Sequence, residues 1–123
     1  MKILFILINV LIFSNYLFAS NLFETSFNNI EFNSINIQDS KKAEINKTKF
    51  GSFKKILRKI LNKENFNEIE DNLSEDFINI FIKNIIINDE KIINNQYAAK
   101  IKINFDKKRL VNYLREKKIP YVE

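Results

Sequence analysis

Cysteine and histidine are both absent from this chain of 123 residues. Without cysteine there is no disulfide, no thiol nucleophile and no lipid-modified cysteine behind a leader. Without histidine the commonest general base and the commonest metal ligand are missing. Ser and Thr hydroxyls therefore have no imidazole partner to activate them. Glycine and proline occur once each, so tight glycine turns do not organise the chain. The length allows one small domain. That domain must stand on packing alone, for which a hydrophobic fraction of 46% is sufficient.

Isoleucine, asparagine and lysine dominate what is present. All three are encoded by A/T-rich codons, so the asparagine-rich look and the lysine count carry little functional weight by themselves. The first residues do carry information. Met1-Lys2 is a short positive start, Ile3 to Phe18 is apolar apart from Asn9, Ser14 and Asn15, and Leu17-Phe18-Ala19 places a small residue at a cleavage position. This pattern predicts a secretory signal peptide over residues 1–19, cut after Ala19 or Ser20. The apolar stretch is short for a membrane span of about 20 residues.

Behind the leader, residues 20–34 read as the mature N-terminal segment and the start of a first strand, at about 28–38. Residues 35–123 read as a single domain. Asp39-Ser40 signals a helix start, with Glu44 in the first turn. Ala43, Phe50, Phe53, Ile56, Leu57 and Ile60 recur at helical spacing and predict a long helix at about 41–62. Gly51 inside it costs about 1 kcal/mol relative to Ala, which suggests close packing against a sheet. Phe66, Ile69 and Leu73 predict a short second helix, and Ser74 to Asp76 either caps a further turn or leads directly into the next strand. The branched side chains of the next apolar run favour a strand at about 81–88, extending towards Ile93.

Asn94-Asn95 is a turn signal. It pairs Ile93 with Gln96 and Ile92 with Tyr97, but continuing that register sets Asn88 against Ile101. A bulge near Asn88-Asp89-Glu90 repairs the mismatch. In the strand that follows, Tyr97, Ala99, Ile101, Ile103 and Phe105 alternate with Ala98, Lys100, Lys102 and Asn104, the pattern of a strand with one buried face. Asp106 is placed to cap a helix carrying Leu110, Val111 and Leu114, which Pro120 ends. The expected fold is therefore α+β: a small, mostly antiparallel sheet in strand-helix-strand-strand-helix order, with helices packed on one face.

The stretch from Tyr97 to Tyr121 resembles a family of exported proteobacterial proteins known as domain of unknown function 2066. The resemblance rests on the tyrosine-led strand, Phe105-Asp106, Leu110, Leu114 and Ile119-Pro120. It extends loosely over 35–123, with the long helix near Ser40 in a matching place. Lys118 stands where that family has glycine, so the expected left-handed helix end is missing. The chain also stops at Glu123 where related proteins run on, and so reads as a fragment or a minimal version. The resemblance implies export to the periplasm of a Gram-negative cell and implies no activity.

Charge is segregated. Lys41–Lys63 holds nine bases and one acid, net +8; Glu64–Ile82 holds six acids and no base; Lys100–Lys118 holds eight bases and two acids, net +6. Lys47, Lys54, Lys55, Arg58 and Lys59 form a candidate interaction surface for an acidic partner. The plainer reading is that the acidic segment folds back beside the basic helix. Glu68/Glu70/Asp71, Glu75/Asp76 and Asp89/Glu90 could do acid–base chemistry if one member were buried, but they read more simply as solvated acids or caps. Asp106 is assigned as a structural cap. No catalytic residue, cofactor or metal is expected. Nucleic acid is disfavoured, because Tyr97 and Phe105 share the core face of Ile101 and Ile103 and are not set out as a stacking platform. The chain is expected to be a non-enzymatic interaction module of the cell envelope, with a protein partner, or alternatively a module that meets anionic membrane surfaces through the basic helix 41–63.

Overall fold

The computed structural model describes residues 21–123; the leader expected over residues 1–19 lies outside them. The fold is α+β. Strand β1 (Asn28–Asn33) precedes helices α1 (Ile37–Ile60), α2 (Lys63–Asp71) and α3 (Glu75–Asn79), then β2 (Ile82–Ile93), β3 (Gln96–Phe105) and α4 (Lys107–Glu116). The three strands form one antiparallel sheet in the order β1-β3-β2. The last strand in sequence is thus the middle one in space.

The alternation in β3 decides the layering. Tyr97, Ala99, Ile101, Ile103 and Phe105 are all buried and face the helices. Lys100, Lys102 and Asn104 point to the other, solvated side. α1 lies over the buried face through Phe53, Ile56, Leu57 and Ile60. Phe53 is the hub of an aromatic cluster, with its ring centroid 5.2 Å from Phe105, 5.6 Å from Phe81 and 6.2 Å from Phe77. Tyr113 of α4 closes that cluster against Phe77 and Phe81 at 5.3 and 5.5 Å. Such rings each remove large apolar areas from water, which substitutes for the missing cross-links.

The first strand is shorter than the alternation of Ile35 and Ile37 suggests. β1 ends at Asn33, Ile35 is 97% exposed, and Ile37 already belongs to α1. Asn36 captures the chain first: its side chain accepts the amide of Asp39 and starts the helix four residues early. A boundary at residue 35 also cuts through the sheet. β1 pairs along β3 from Asn28↔Ile101 to Asn33↔Gln96, and Phe23 is part of the core, so residues 21–34 belong to the domain that follows.

The hairpin register starts as the turn requires, Ile93↔Gln96 and Ile92↔Tyr97. Between Asn88↔Lys100 and Lys91↔Ala98 the two residues Asp89 and Glu90 oppose the single residue Ala99. This is the expected bulge, and Asp89 adopts φ 53° to make it. Beyond it Ile87 faces Ile101 and Ile85 faces Ile103. The apolar faces therefore match. Asn94 takes the other positive φ of the hairpin, 53°, a conformation asparagine tolerates.

Two expectations are corrected. Gly51 is exposed, and a Cβ there would meet nothing within 4 Å. It sits on the outward side of α1 and allows no close approach to the sheet. Lys118 does not abolish the left-handed helix end. It adopts φ 56°, its amide donates to Arg115 O at 3.0 Å and the Ile119 amide donates to Leu114 O at 2.9 Å. That is a Schellman closure made with lysine in place of glycine.

Candidate functional site

The outward side of α1 is built by its own periodicity. With Phe53, Ile56, Leu57 and Ile60 committed to the core, residues spaced three and four apart on the opposite side face solvent. Lys47, Gly51, Lys55 and Arg58 follow that spacing, with Lys54 and Lys59 at its flanks. Lys47, Lys55, Arg58 and Lys59 are exposed and Lys54 is half-buried. The five candidate cations thus lie on one side of one helix, around the gap that Gly51 leaves.

They are not equivalent. Lys54 pairs with Glu70 of α2 at 3.1 Å. The Arg58 guanidinium lies over the Phe66 ring, 5.1 Å from its centroid, a contact that keeps its charge outward. Lys47, Lys55 and Lys59 meet no acid among the described residues within ion-pair distance. Lys55 and Lys59 border a small hollow of about 40 Å³ shared with Glu24, Thr25, Ser26 and Asn28. The acidic segment does fold back beside the helix. Glu75 takes Lys49 at 3.3 Å and Glu70 takes Lys54. It covers one flank and leaves the crest bare.

A second cluster was not anticipated. The bulge turns Glu90 to the helix side of the sheet, where its Oε2 accepts both Lys41 Nζ and the Tyr97 hydroxyl at 2.7 Å. The Lys41 ammonium also lies 5.7 Å from the centre of the Tyr97 ring. The hydrogen bond from Lys41, then that from Tyr97, holds the Glu90 carboxyl below its ordinary range. Burial first, then the Glu90 hydrogen bond, pushes the Tyr97 hydroxyl far above its ordinary value. Tyr97 is fully buried and stacks on Phe32 at 4.9 Å. The arrangement ties α1, β1, β2 and β3 together. The expected bulge was the one available signal: inserting a residue before Glu90 moves it to the face of Tyr97.

A groove of about 570 Å³ runs between α2 and the end of α4, over Ile69, Phe77 and Tyr113, with Asn65, Glu68 and Asn72 along one rim and Lys117 and Lys118 along the other. Three helices, α2, α3 and α4, and the segment after α4 contribute to it, and nothing in the linear spacing brings them together.

Asp106 closes β3 and opens α4. Its amide donates to Phe81 O at 2.7 Å, its Oδ1 accepts the Arg109 amide at 3.1 Å, and its Oδ2 lies 3.5 Å from Arg109 Nε. The carboxylate is thereby used by the helix end. Among the acid pairs, Glu70, Glu75 and Glu90 each hold a lysine of α1, and Asp89 meets Lys100 at 3.4 Å. Among the described residues no three acidic side chains converge as metal ligands do, and no helix is long and apolar enough to cross a membrane. No family model, no curated protein and no solved structure matches the chain.

Proposed function

We propose that this protein is an exported, non-catalytic interaction module of the bacterial cell envelope, released into the periplasm of a Gram-negative cell, where the outward side of α1 docks an acidic surface on a protein partner. The observation that carries this reading is the unequal treatment of the α1 lysines. Lys41, Lys49 and Lys54 are each held by an acid of the same chain, while Lys47, Lys55 and Lys59 are left exposed around Gly51 with no acid of the described residues at ion-pair distance. Uncompensated like charges on one helix side repel one another and favour an anionic partner.

A protein surface suits that side better than a lipid bilayer. Peripheral helices that hold to membranes bury an apolar face in the headgroup region. The apolar face of α1 is spent on the core, with Phe53, Leu57 and Ile60 fully buried. Only the electrostatic part of membrane attraction is left, about 1 kcal/mol per lysine near the surface.

Sedimentation of the exported protein with vesicles of anionic and of neutral lipid, at low and at physiological salt, tests the choice. The expected result is no binding to either vesicle at physiological salt. Salt-sensitive binding to the anionic vesicles alone would replace the protein partner by a membrane surface. Lys47→Glu combined with Lys55→Glu should abolish whichever association exists while leaving the fold intact, since neither side chain packs in the core.

A further inference from the structure

The outer edge of β2 has no neighbouring strand among the described residues, because the sheet order is β1-β3-β2. Such an edge presents unpaired N–H and C=O groups to solvent. Its regular part is bounded. Register shifts at Lys83 and at Asp89-Glu90 leave Asn84-Ile85-Ile86-Ile87-Asn88 between them as an uninterrupted run. That run reads identically in both directions, and its flanks carry opposite charge, Lys83 before it and Asp89 after it.

Two copies of one strand pair antiparallel about a two-fold axis, so that whatever residue i meets on its partner, that partner residue meets i in return. With the axis at Ile86, Ile86 faces its own copy, Ile85 faces Ile87, Asn84 faces Asn88, and Lys83 faces Asp89. An axis one residue later, at Ile87, would set Lys83 against Lys91 and Ile86 against Asn88. An axis one residue earlier, at Ile85, would set Asn84 against Ile86 and Lys83 against Ile87. Only the central register pairs like with like and opposite charge with opposite charge.

We propose that the protein forms a two-fold dimer through this edge, joining two three-stranded sheets into one antiparallel sheet. The burial pattern supplies the driving force. Ile85 and Ile87 lie on the helix side of the sheet, opposite Ile103 and Ile101, yet Ile85 is 38% exposed, with α1 packed chiefly over β3. In the dimer the two isoleucines of each copy meet those of the other on that side. Asp89 gives up little, since its contact with Lys100 is one in which both side chains are more than half exposed. The contact uses the same edge on both copies about a two-fold axis, so it closes as a dimer. The basic side of α1 faces away from the sheet and stays accessible, so this inference is independent of the function proposed above.

Sedimentation equilibrium of the full chain in its processed form, over a concentration series, should give a monomer–dimer equilibrium. Lys83→Asp and Asp89→Lys should each weaken association about tenfold, and the double exchange should restore it. Restoration also shows that the single changes act at the contact and not by unfolding. Because the chain has no native cysteine, oxidative cross-linking reads the register directly. Ile86→Cys should couple to its own copy, while Asn84→Cys and Asn88→Cys should couple when mixed and not singly. A monomeric mass at every concentration would overturn the proposal, as would Ile86→Cys coupling no faster than Lys55→Cys on α1. Coupling of Ile86→Cys to a different protein would assign the edge to a foreign strand and overturn it equally.

Discussion

β2 and β3 are neighbouring strands of the same hairpin, and their fates are opposite. β2 holds the richer apolar run, with isoleucine at positions 82, 85, 86, 87, 92 and 93, yet none of these is fully buried, and Ile92 and Ile93 are 53% and 65% exposed. β3 carries lysine at two positions and still buries its whole inward row from Tyr97 to Phe105. The difference is place. β3 is central and lies under α1, while β2 is an edge strand that reaches past the helix layer. Apolar content says that a segment wants cover; the layer above it decides whether cover is there.

The sharpest way to break this comparison is a matched pair of truncations. Ile101→Ala under α1 should cost about 2–5 kcal/mol as a cavity-forming change, while Ile85→Ala on β2 should cost below about 1.5 kcal/mol. Urea denaturation of both variants measures it, and equal losses would mean that β2 is covered after all. At the far end of β3, Asp106→Ala should lower stability by about 0.5–2 kcal/mol, with Asp106→Asn or Asp106→Ser recovering most of it. An unrecovered loss in the Asn variant would show that the carboxylate does more than cap.

Where neither strand is involved, the backbone and not burial should set the effect. Lys118→Gly should raise stability by about 1 kcal/mol, because φ 56° costs lysine what it does not cost glycine. At the near end of β3, Tyr97→Phe should lose about 1 kcal/mol near neutral pH, the worth of one hydrogen bond. It should also change the alkaline limb. The folded Tyr97 pKa is raised, so the stability it contributes is complete below the unfolded value of about 10 and falls as pH rises above that. Denaturation at about pH 8 and about pH 11 should therefore show a smaller alkaline loss in the Phe variant than in the parent. Gly51→Ala should give the smallest change, a gain of about 0.5–1 kcal/mol in thermal unfolding, since a methyl group there meets nothing. A loss instead would mean that the outward side of α1 is packed.

Much of this was legible along the chain. The β3 alternation, the helical stripe from Phe53 to Ile60, the two-residue turn at Asn94-Asn95 and the bulge before Lys91 all follow from local periods and from one parity argument about matching faces. The early start of α1 was not, because Ile35 and Ile37 imitate strand alternation until Asn36 closes on the Asp39 amide. The left-handed Lys118 was hidden because residue type argues against it; closure by Ile119 and Arg115 overrides a penalty of about 1–2 kcal/mol. The basic side of α1 could be read from spacing, but which of its lysines are already neutralised could not.

The sequence by itself determined the three strands, the long helix, the short helix after it and the last helix, their order and which side of β3 faces inward, because those depend on contacts a few residues apart and on the fixed periods of helix and strand. It also determined that no disulfide and no imidazole takes part. The tertiary structure alone decided that the last strand is the central one and that the isoleucines of β2 are left half bare. It alone brought Glu90 to Lys41 and Tyr97, and left Lys47, Lys55 and Lys59 without acids. Each of these is a matter of which distant segment arrives beside which. No local period encodes that, because it is settled when the whole chain packs around Phe53 and Ile101.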